Sequence, residues 1–133
     1  MAYVLIIFLV IGILAASMAG IFNANLKQTK SQQDAMEAYY LAYSGALIAH
    51  EALLANGGAK LNEITVNNQV LTSGSMELGR GTVSVVAEQS SDSNFNGWVK
   101  ITATSVLDRN NHTTIRILYF DPANPLEMLW SGK

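Results

Sequence analysis

The stretch of sequence that decides the fold is MAYVLIIFLVIGILAASMAGIF, residues 1–22, which contains no charged side chain. A helix needs about 20 consecutive apolar residues to cross the hydrocarbon core of a bilayer, and this stretch meets that length. In the whole chain of 133 residues, 50% are hydrophobic and 14% are charged. Since about a quarter of the residues of an ordinary soluble domain are charged, we expect lipid or other helices to cover part of this surface.

The helix predicted from this stretch continues well beyond it. Residues 23–55 contain no proline, and Gly45 is their only glycine. The Asn-Gly-Gly triplet at residues 56–58 then supplies a stop signal. Residues 1–55 are therefore predicted to form one long helix, with residues 1–22 in a membrane or a filament core. At about 1.5 Å per residue this helix exceeds the ~30 Å hydrocarbon core, so its second half must lie outside it.

Two different faces are predicted on residues 23–55. One is a stripe of small residues that favours close approach of a neighbouring helix. We expect this contact at Ala42, Gly45 and Ala49. The other is a bulkier stripe that is suited to burial beneath a sheet. Its members are Met36, Tyr40, Tyr43, Leu47 and Leu54.

Residues 56–133 change from a helical pattern to a strand-like one. Three runs rich in Val, Ile, Thr and aromatic residues predict an antiparallel meander. These runs are residues 82–88, 98–107 and 112–120. The short DRNN connector at residues 108–111 favours a hairpin, and residues 64–71 are either a first strand or an ordered loop. The sequence thus predicts an α+β fold with a long N-terminal helix packed against a small antiparallel sheet.

Within this sheet, alternation predicts which side chains face the core. The expected core-facing residues are Val99, Ile101, Ala103 and Leu107, with Ile115, Ile117 and Tyr119 as their counterparts on the next strand, whereas Arg116 is expected to face away. The tail DPANPLEMLWSGK, residues 121–133, carries both prolines and is predicted to be irregular. Its apolar residues, which we expect to dock on a neighbouring surface, are Leu126, Met128, Leu129 and Trp130.

Charge and reactive residues argue against several classes of function. A formal net charge of −2 gives no electrostatic footprint for nucleic acid. With no cysteine and two histidines, neither a thiolate metal site nor a histidine cage is expected. Ser44 lacks the elbow of a hydrolase nucleophile, and His50 with Glu51 lacks a second ligand motif. The sequence therefore predicts no catalytic, cofactor or metal site.

The chain resembles the type IV pilin superfamily. The resemblance is carried by the apolar residues 1–22 leading into QQDAMEAYYLAYSGALIAHEALL, residues 32–54. Within it, AYYLAYSGALIA, residues 38–49, is similar to the A-x-x-x-A-x-S-G pattern of minor pilins and of the tip pseudopilins of type II secretion. The resemblance implies a pilin-like fold and a helical polymer with copies of the chain or with other pilins. The helix-packing residues then expected are Met1, Leu5, Phe8, Val10, Gly12, Leu14, Gly20 and Phe22, besides Ala42, Gly45 and Ala49.

The resemblance also implies how the subunit is processed and where it works. A pilin is anchored in the membrane before the pilus assembly machinery moves it into a cell-surface filament. Because a leader ending in glycine is not seen, we expect Met1 to be the mature N-terminus, N-methylated as in the family. Most pilins carry a glutamate at the fifth mature position, whereas Leu5 stands here. This departure favours a minor or tip subunit, although a major pilin held by apolar packing alone stays possible.

Other interpretations of the apolar stretch stay open beside the surface pilus. One is a minor or tip pseudopilin of a type II secretion system. Another is a single-span, membrane-anchored binding module that does not polymerise. A third is a secreted protein that loses residues 1–19 as a signal peptide, although the stretch lacks the basic start and the polar mature sequence expected of one.

Overall fold

The computed structural model of this protein describes residues 2–132, except for the side chains of Ala2 and Leu5 and the exposure of Gly132. The chain forms two compact units, residues 1–34 and residues 35–133. The elements follow in the order α1 (Ala2–Thr65), β1 (Leu71–Leu78), β2 (Gly81–Gln89), η1 (Ser93–Phe95), β3 (Val99–Leu107), β4 (Thr113–Asp121) and β5 (Asn124–Gly132). The predicted α+β class, a long N-terminal helix with an antiparallel sheet, is therefore confirmed.

The helix α1 is interrupted once, at the place where the sequence predicts its end. Residues 55–58 have non-helical backbone angles, and Asn56, Gly57 and Gly58 all have positive φ, between 54° and 77°. Glycine and asparagine adopt this left-handed region most readily. The predicted stop is thus correct, but residues 59–65 then return to helix. The strand alternative for residues 64–71 is accordingly wrong, since Val66 to Val70 form a turn and a loop before β1.

The five strands pair with their sequence neighbours in the order β1-β2-β3-β4-β5, and every pair is antiparallel. The predicted three-strand meander corresponds to β2, β3 and β4, and the DRNN connector forms the expected hairpin between β3 and β4. Pairing between β2 and β3 is uninterrupted from Gly81↔Leu107 to Gln89↔Val99. The sheet therefore contains the whole predicted meander plus one further strand on each side.

The prediction of an irregular tail is wrong, because residues 124–132 form β5. They pair with β4 from Arg116↔Gly132 to Phe120↔Met128, and the irregularity falls next to it, between Phe120 and Asp121. The prolines Pro122 and Pro125 lie in the turn and near the start of this edge strand. A missing N–H is tolerated in both places.

The face assignment of β4 is also wrong. Opposite residues of an antiparallel pair lie on the same face of a sheet, and Leu118 and Phe120, both fully buried, stand opposite Ile101 and Val99. The predicted counterparts Ile115, Ile117 and Tyr119 lie on the other face. Arg116, which pairs with Ala103, lies on the core face, and its guanidinium stacks over the Tyr39 ring at 4.1 Å from the centroid.

One hydrophobic core forms in the second unit between α1 and the inner face of the sheet. Its largest fully buried side chains are Phe120, Ile64, Ile101, Leu107, Leu118, Val83 and Val99. The Ser105 hydroxyl donates a hydrogen bond of 2.6 Å to the carbonyl oxygen of Ala38, which ties the helix to β3. This unit therefore contains a core of its own, built from helix residues after position 34 and from all five strands.

Candidate functional site: the exposed apolar helix

The first unit consists of helix whose apolar side chains have nothing to cover them within the described chain. An 18-residue window of α1 near the N-terminus has a mean hydropathy of 2.3, and none of it is buried. Phe8 is 70% exposed and Phe22 is 65% exposed. The chain thus has a helix that is long and apolar enough to cross a membrane.

The residues predicted for helix packing in this unit all belong to that exposed surface, as far as they are described. Val10 and Leu14 are exposed. A Cβ atom added at Gly12 or Gly20 would meet nothing within 4 Å, so both glycines lie open on the helix surface. Met1 lies outside the described residues, as does the side chain of Leu5, and both predictions stay untested.

Burial of this apolar surface is strongly favourable in free energy. Apolar surface contributes roughly 25 cal/mol per Å² when it is removed from water, and fully burying one large apolar side chain contributes about 1.5–3 kcal/mol. Residues 6–22 present more than ten such side chains on about four and a half helical turns. Their polar backbone groups are paired within the helix, which is the condition for entering lipid or a bundle of helices.

The small-residue stripe has a different role from the one predicted. Ala42 is fully buried and belongs to the core cluster of the second unit, and Ala49 packs against that cluster. Gly45 is buried as well, and an added Cβ there would clash with Cγ1 of Val83 on β2. These residues bring α1 close to the chain's own sheet. As a contact surface for neighbouring helices, this stripe is a wrong prediction for Ala42 and Gly45.

The bulky stripe is correspondingly less buried than predicted. Met36 is exposed, as is Tyr40 at 60%, while Tyr43 is half-buried and stacks on Trp130 of β5 with ring centroids 4.4 Å apart. Tyr40 makes an edge contact with Tyr39 at 5.4 Å. Between residues 35 and 49, the outward face of α1 therefore carries apolar side chains, and the buried positions carry small ones.

Ser44 and His50, the polar side chains considered in the sequence, lie on α1. Ser44 is exposed on α1. The His50 ring is buried, with Nε2 3.0 Å from the carbonyl oxygen of Pro125 and Nδ1 3.9 Å from the Glu51 carboxylate. It also makes a T-shaped contact with the Phe120 ring, with ring centroids 4.7 Å apart. His50 therefore joins α1 to the start of β5.

A cleft at one end of the sheet is lined by Glu37, Arg80, Leu107 and Arg109, and Nη2 of Arg109 lies 3.6 Å from Oε2 of Glu37. This geometry is that of a partly exposed ion pair. Among residues 2–132, no group of three or more His, Cys, Asp or Glu side chains is placed to hold a metal ion.

The sequence predicts apolar docking residues in the tail but does not predict the surface to which they belong, the free edge of β5. The strand pairs with β4 on one side only, because it is the last strand in the sheet order. Leu126 is 85% exposed and Leu129 is 47% exposed. The alternation of residues 126, 128 and 130 against 127, 129 and 131 was the available signal for a strand. The two prolines that precede it favour an irregular segment, which opposes that signal.

Comparisons of this chain with protein-family models, with curated proteins and with solved structures found no match.

Proposed function

We propose that this chain is a structural subunit of a type IV pilus-like surface filament, assembled by packing of its apolar N-terminal helix against copies of itself or against other pilins. One observation carries the proposal: an 18-residue helical window with a mean hydropathy of 2.3 and no buried residue precedes a unit that has its own core. The first unit needs a cover from outside the chain, whereas the second does not.

The physical basis of assembly is an exchange of apolar surroundings. Before assembly the helix lies in the membrane, where lipid covers its side chains. Transfer into a bundle of identical helices replaces lipid contacts by protein contacts, so the free energies of the two states are close and an assembly machinery can drive the exchange. Because the contact runs from one copy to the next without closing on itself, it generates an open helical polymer.

The proposed roles of individual residues follow from their places on α1. Phe8, Val10, Leu14 and Phe22 supply apolar bulk, and Gly12 and Gly20 permit close approach between helix backbones. The sheet of the second unit would then coat the outside of the filament.

A minor or tip pseudopilin of a type II secretion system uses the same architecture and is distinguished by location. We expect a tip subunit to be labelled by antibody at one end of a filament and a major subunit to be labelled along its whole length. A single-span membrane-anchored module is the second candidate function, and the length and hydropathy of the helix support it equally.

Electron microscopy of sheared cell-surface material, together with mass spectrometry of its subunits, tests the proposal. We expect filaments that contain this chain with residues 1–22 still present, and a methylated N-terminus in the intact mass. If the chain is found only as a detergent-soluble monomer in the membrane fraction, the anchored module replaces the pilin. If the sheared material is a soluble protein that lacks residues 1–19, the apolar stretch is a signal peptide and both proposals fail.

A further inference from the structure

The two edges of the sheet differ in how they are protected against another strand. An edge strand presents a row of backbone N–H and C=O groups that another extended chain can pair with, and natural proteins block such edges with bulges, charges or proline. β1 and β5 are the two edge strands here. They are therefore the places where strand pairing between chains can occur.

The β1 edge is interrupted. Its register with β2 shifts between Thr72 and Ser75, and Gly74 has a φ of 70°. At the same point the hydroxyl of Ser73, instead of a backbone carbonyl, accepts the hydrogen bond from the N–H of Val85, at 3.0 Å. Glu77 adds a charge further along the strand. A bulge, a left-handed glycine and a carboxylate together break up this edge.

The β5 edge is blocked only over its first half. Pro125 and Glu127 protect that half. From Met128 to Gly132 the pairing with β4 is regular, and these five residues, MLWSG, include no charge and no proline. Leu129 is nearly half exposed and Met128 is partly exposed. This half of β5 is a continuous, uncharged edge with apolar side chains beside it.

We propose that β5 pairs with β5 of a second copy of this chain, antiparallel and about a two-fold axis, through residues 128–132. The backbone groups of the edge define the occupant as an extended strand. Among the described residues of a second copy, only β5 offers an equally continuous edge, since β1 is interrupted. Residues 128–132 bring no like charges together when they face themselves, so nothing electrostatic opposes the pair.

This contact is separate from the helix packing of the proposed filament. Copies within one unipolar filament are related by a rotation and a rise, and a two-fold axis between neighbours is not part of that symmetry. The β5 pair would therefore link subunits of different filaments, or subunits outside a filament. The function of the β5 pair would be lateral association of subunits. The same pair can form between two copies of a membrane-anchored module.

Single-cysteine scanning of the full-length chain tests the proposal, because the chain has no cysteine of its own. We would prepare Met128→Cys, Leu129→Cys, Trp130→Cys and Ser131→Cys on β5, where residue 130 faces its own copy across the two-fold axis, with Thr72→Cys and Ser75→Cys on β1 as matched edge controls. Each variant is oxidised with copper phenanthroline in detergent, with micelles in large molar excess over protein. Cross-linked dimer is then quantified at several protein concentrations.

We expect disulfide dimers on β5 and none above background on β1. The yield should peak at one or two positions, because a disulfide needs Cβ atoms about 3.5–4.5 Å apart and only residues next to the two-fold axis meet that distance. Adding Leu129→Lys to the best cysteine variant should lower the dimer yield at least about tenfold, since it places like charges across the pair. Thr72→Lys in the same background should leave the yield unchanged.

Three results would overturn the proposal. Equal cross-linking of β1 and β5 would show that the contact is not made by an edge. A flat yield along β5 would exclude a two-fold strand pair, and the absence of dimer at every position would exclude self-association by this strand. Circular dichroism of each variant, compared with the parent chain, shows that a lost cross-link is not a lost fold. None of these results depends on whether the chain forms filaments.

Discussion

Residues 6–22 and residues 38–53 belong to the same helix, yet their surroundings differ completely. The first run carries large apolar side chains and buries none of those described, while the second turns Ala38, Ala42 and Ala46 inward with no exposed surface at all. The small side chains let the helix lie close to the sheet, so the chain covers them itself. The large side chains of the first run can be covered only by lipid or by another chain. Between these two runs of the helix, the small side chains make the internal contact and the large ones are left for an external contact.

The strongest way to break this comparison is to put a charge into the exposed run. We expect Val10→Asp to abolish filament formation or membrane insertion, because an aspartate at the centre of an apolar helix costs about 2.5–3.5 kcal/mol on insertion. Gln32→Asp, on an exposed polar part of α1, is the matched control and should leave both intact. The measurement is the amount of chain in membrane and pelleted filament fractions. Normal filaments from Val10→Asp would remove the main support for the pilin proposal.

The core of the second unit should respond in a different measurement. Phe120 is fully buried and meets the His50 ring, so Phe120→Ala should lower the free energy of unfolding by about 3–5 kcal/mol. Both tryptophans of the chain, Trp98 and Trp130, lie in this unit. Their fluorescence during denaturant unfolding therefore reports on it. Leu126→Ala, at a position 85% exposed, should change stability by less than about 0.5 kcal/mol.

Ala42→Leu separates the two roles considered for the small-residue stripe. Ala42 is fully buried, and added methylene groups in a packed core typically cost about 1–3 kcal/mol. We expect that loss in the tryptophan unfolding curve of the second unit. Ala35→Leu, the same substitution at an exposed position of α1, should cost little. If Ala42→Leu leaves unfolding unchanged and blocks only polymerisation, the stripe faces other copies after all.

The smallest expected change in stability comes from substituting glycines of α1, and two of them can be compared. Gly45→Ala places a Cβ against Cγ1 of Val83, a stiff and fully buried side chain. The clash should outweigh the better helix propensity of alanine and lower stability by about 1 kcal/mol. Gly20→Ala meets nothing within 4 Å and should leave the unfolding of the second unit unchanged. Equal unfolding curves for the two variants would show that α1 can move away from β2 at no cost.

Much of the fold was predictable because local signals agreed with one another. The long helix follows from a stretch without proline, and its interruption follows from the Asn-Gly-Gly triplet. The hairpin follows from the short DRNN connector. Each of these features lies where the sequence predicts it. The sequence predicts a strand at residues 82–88, and β2 occupies Gly81–Gln89. The uncharged run at residues 1–22 likewise predicts an exposed apolar helix directly. These features are determined by residues that are close together in the sequence, so the sequence alone predicts them.

The errors came from contacts that are distant in sequence. Along β4 both alternating sets are apolar, with Ile115 and Ile117 in one and Leu118 and Phe120 in the other, so periodicity alone does not choose the buried face. Pairing with Ile101 and Val99 of β3 chooses it. Small residues on a helix likewise permit close approach by either a helix or a sheet. Only the position of Val83 opposite Gly45 shows that the partner is the chain's own sheet.

The nearest-neighbour order of the strands has a consequence for synthesis and folding. Each strand pairs with the one made just before it, so the sheet can grow by successive hairpins as the chain emerges, and such local pairing favours fast folding. β4 remains an edge strand until β5 has been made, and an open edge invites pairing with a foreign strand. A nascent or truncated chain that stops before Asn124 leaves the backbone of β4 as an open edge. Pairing of that edge with β5 of a complete second chain is the characteristic failure to look for in inclusion bodies.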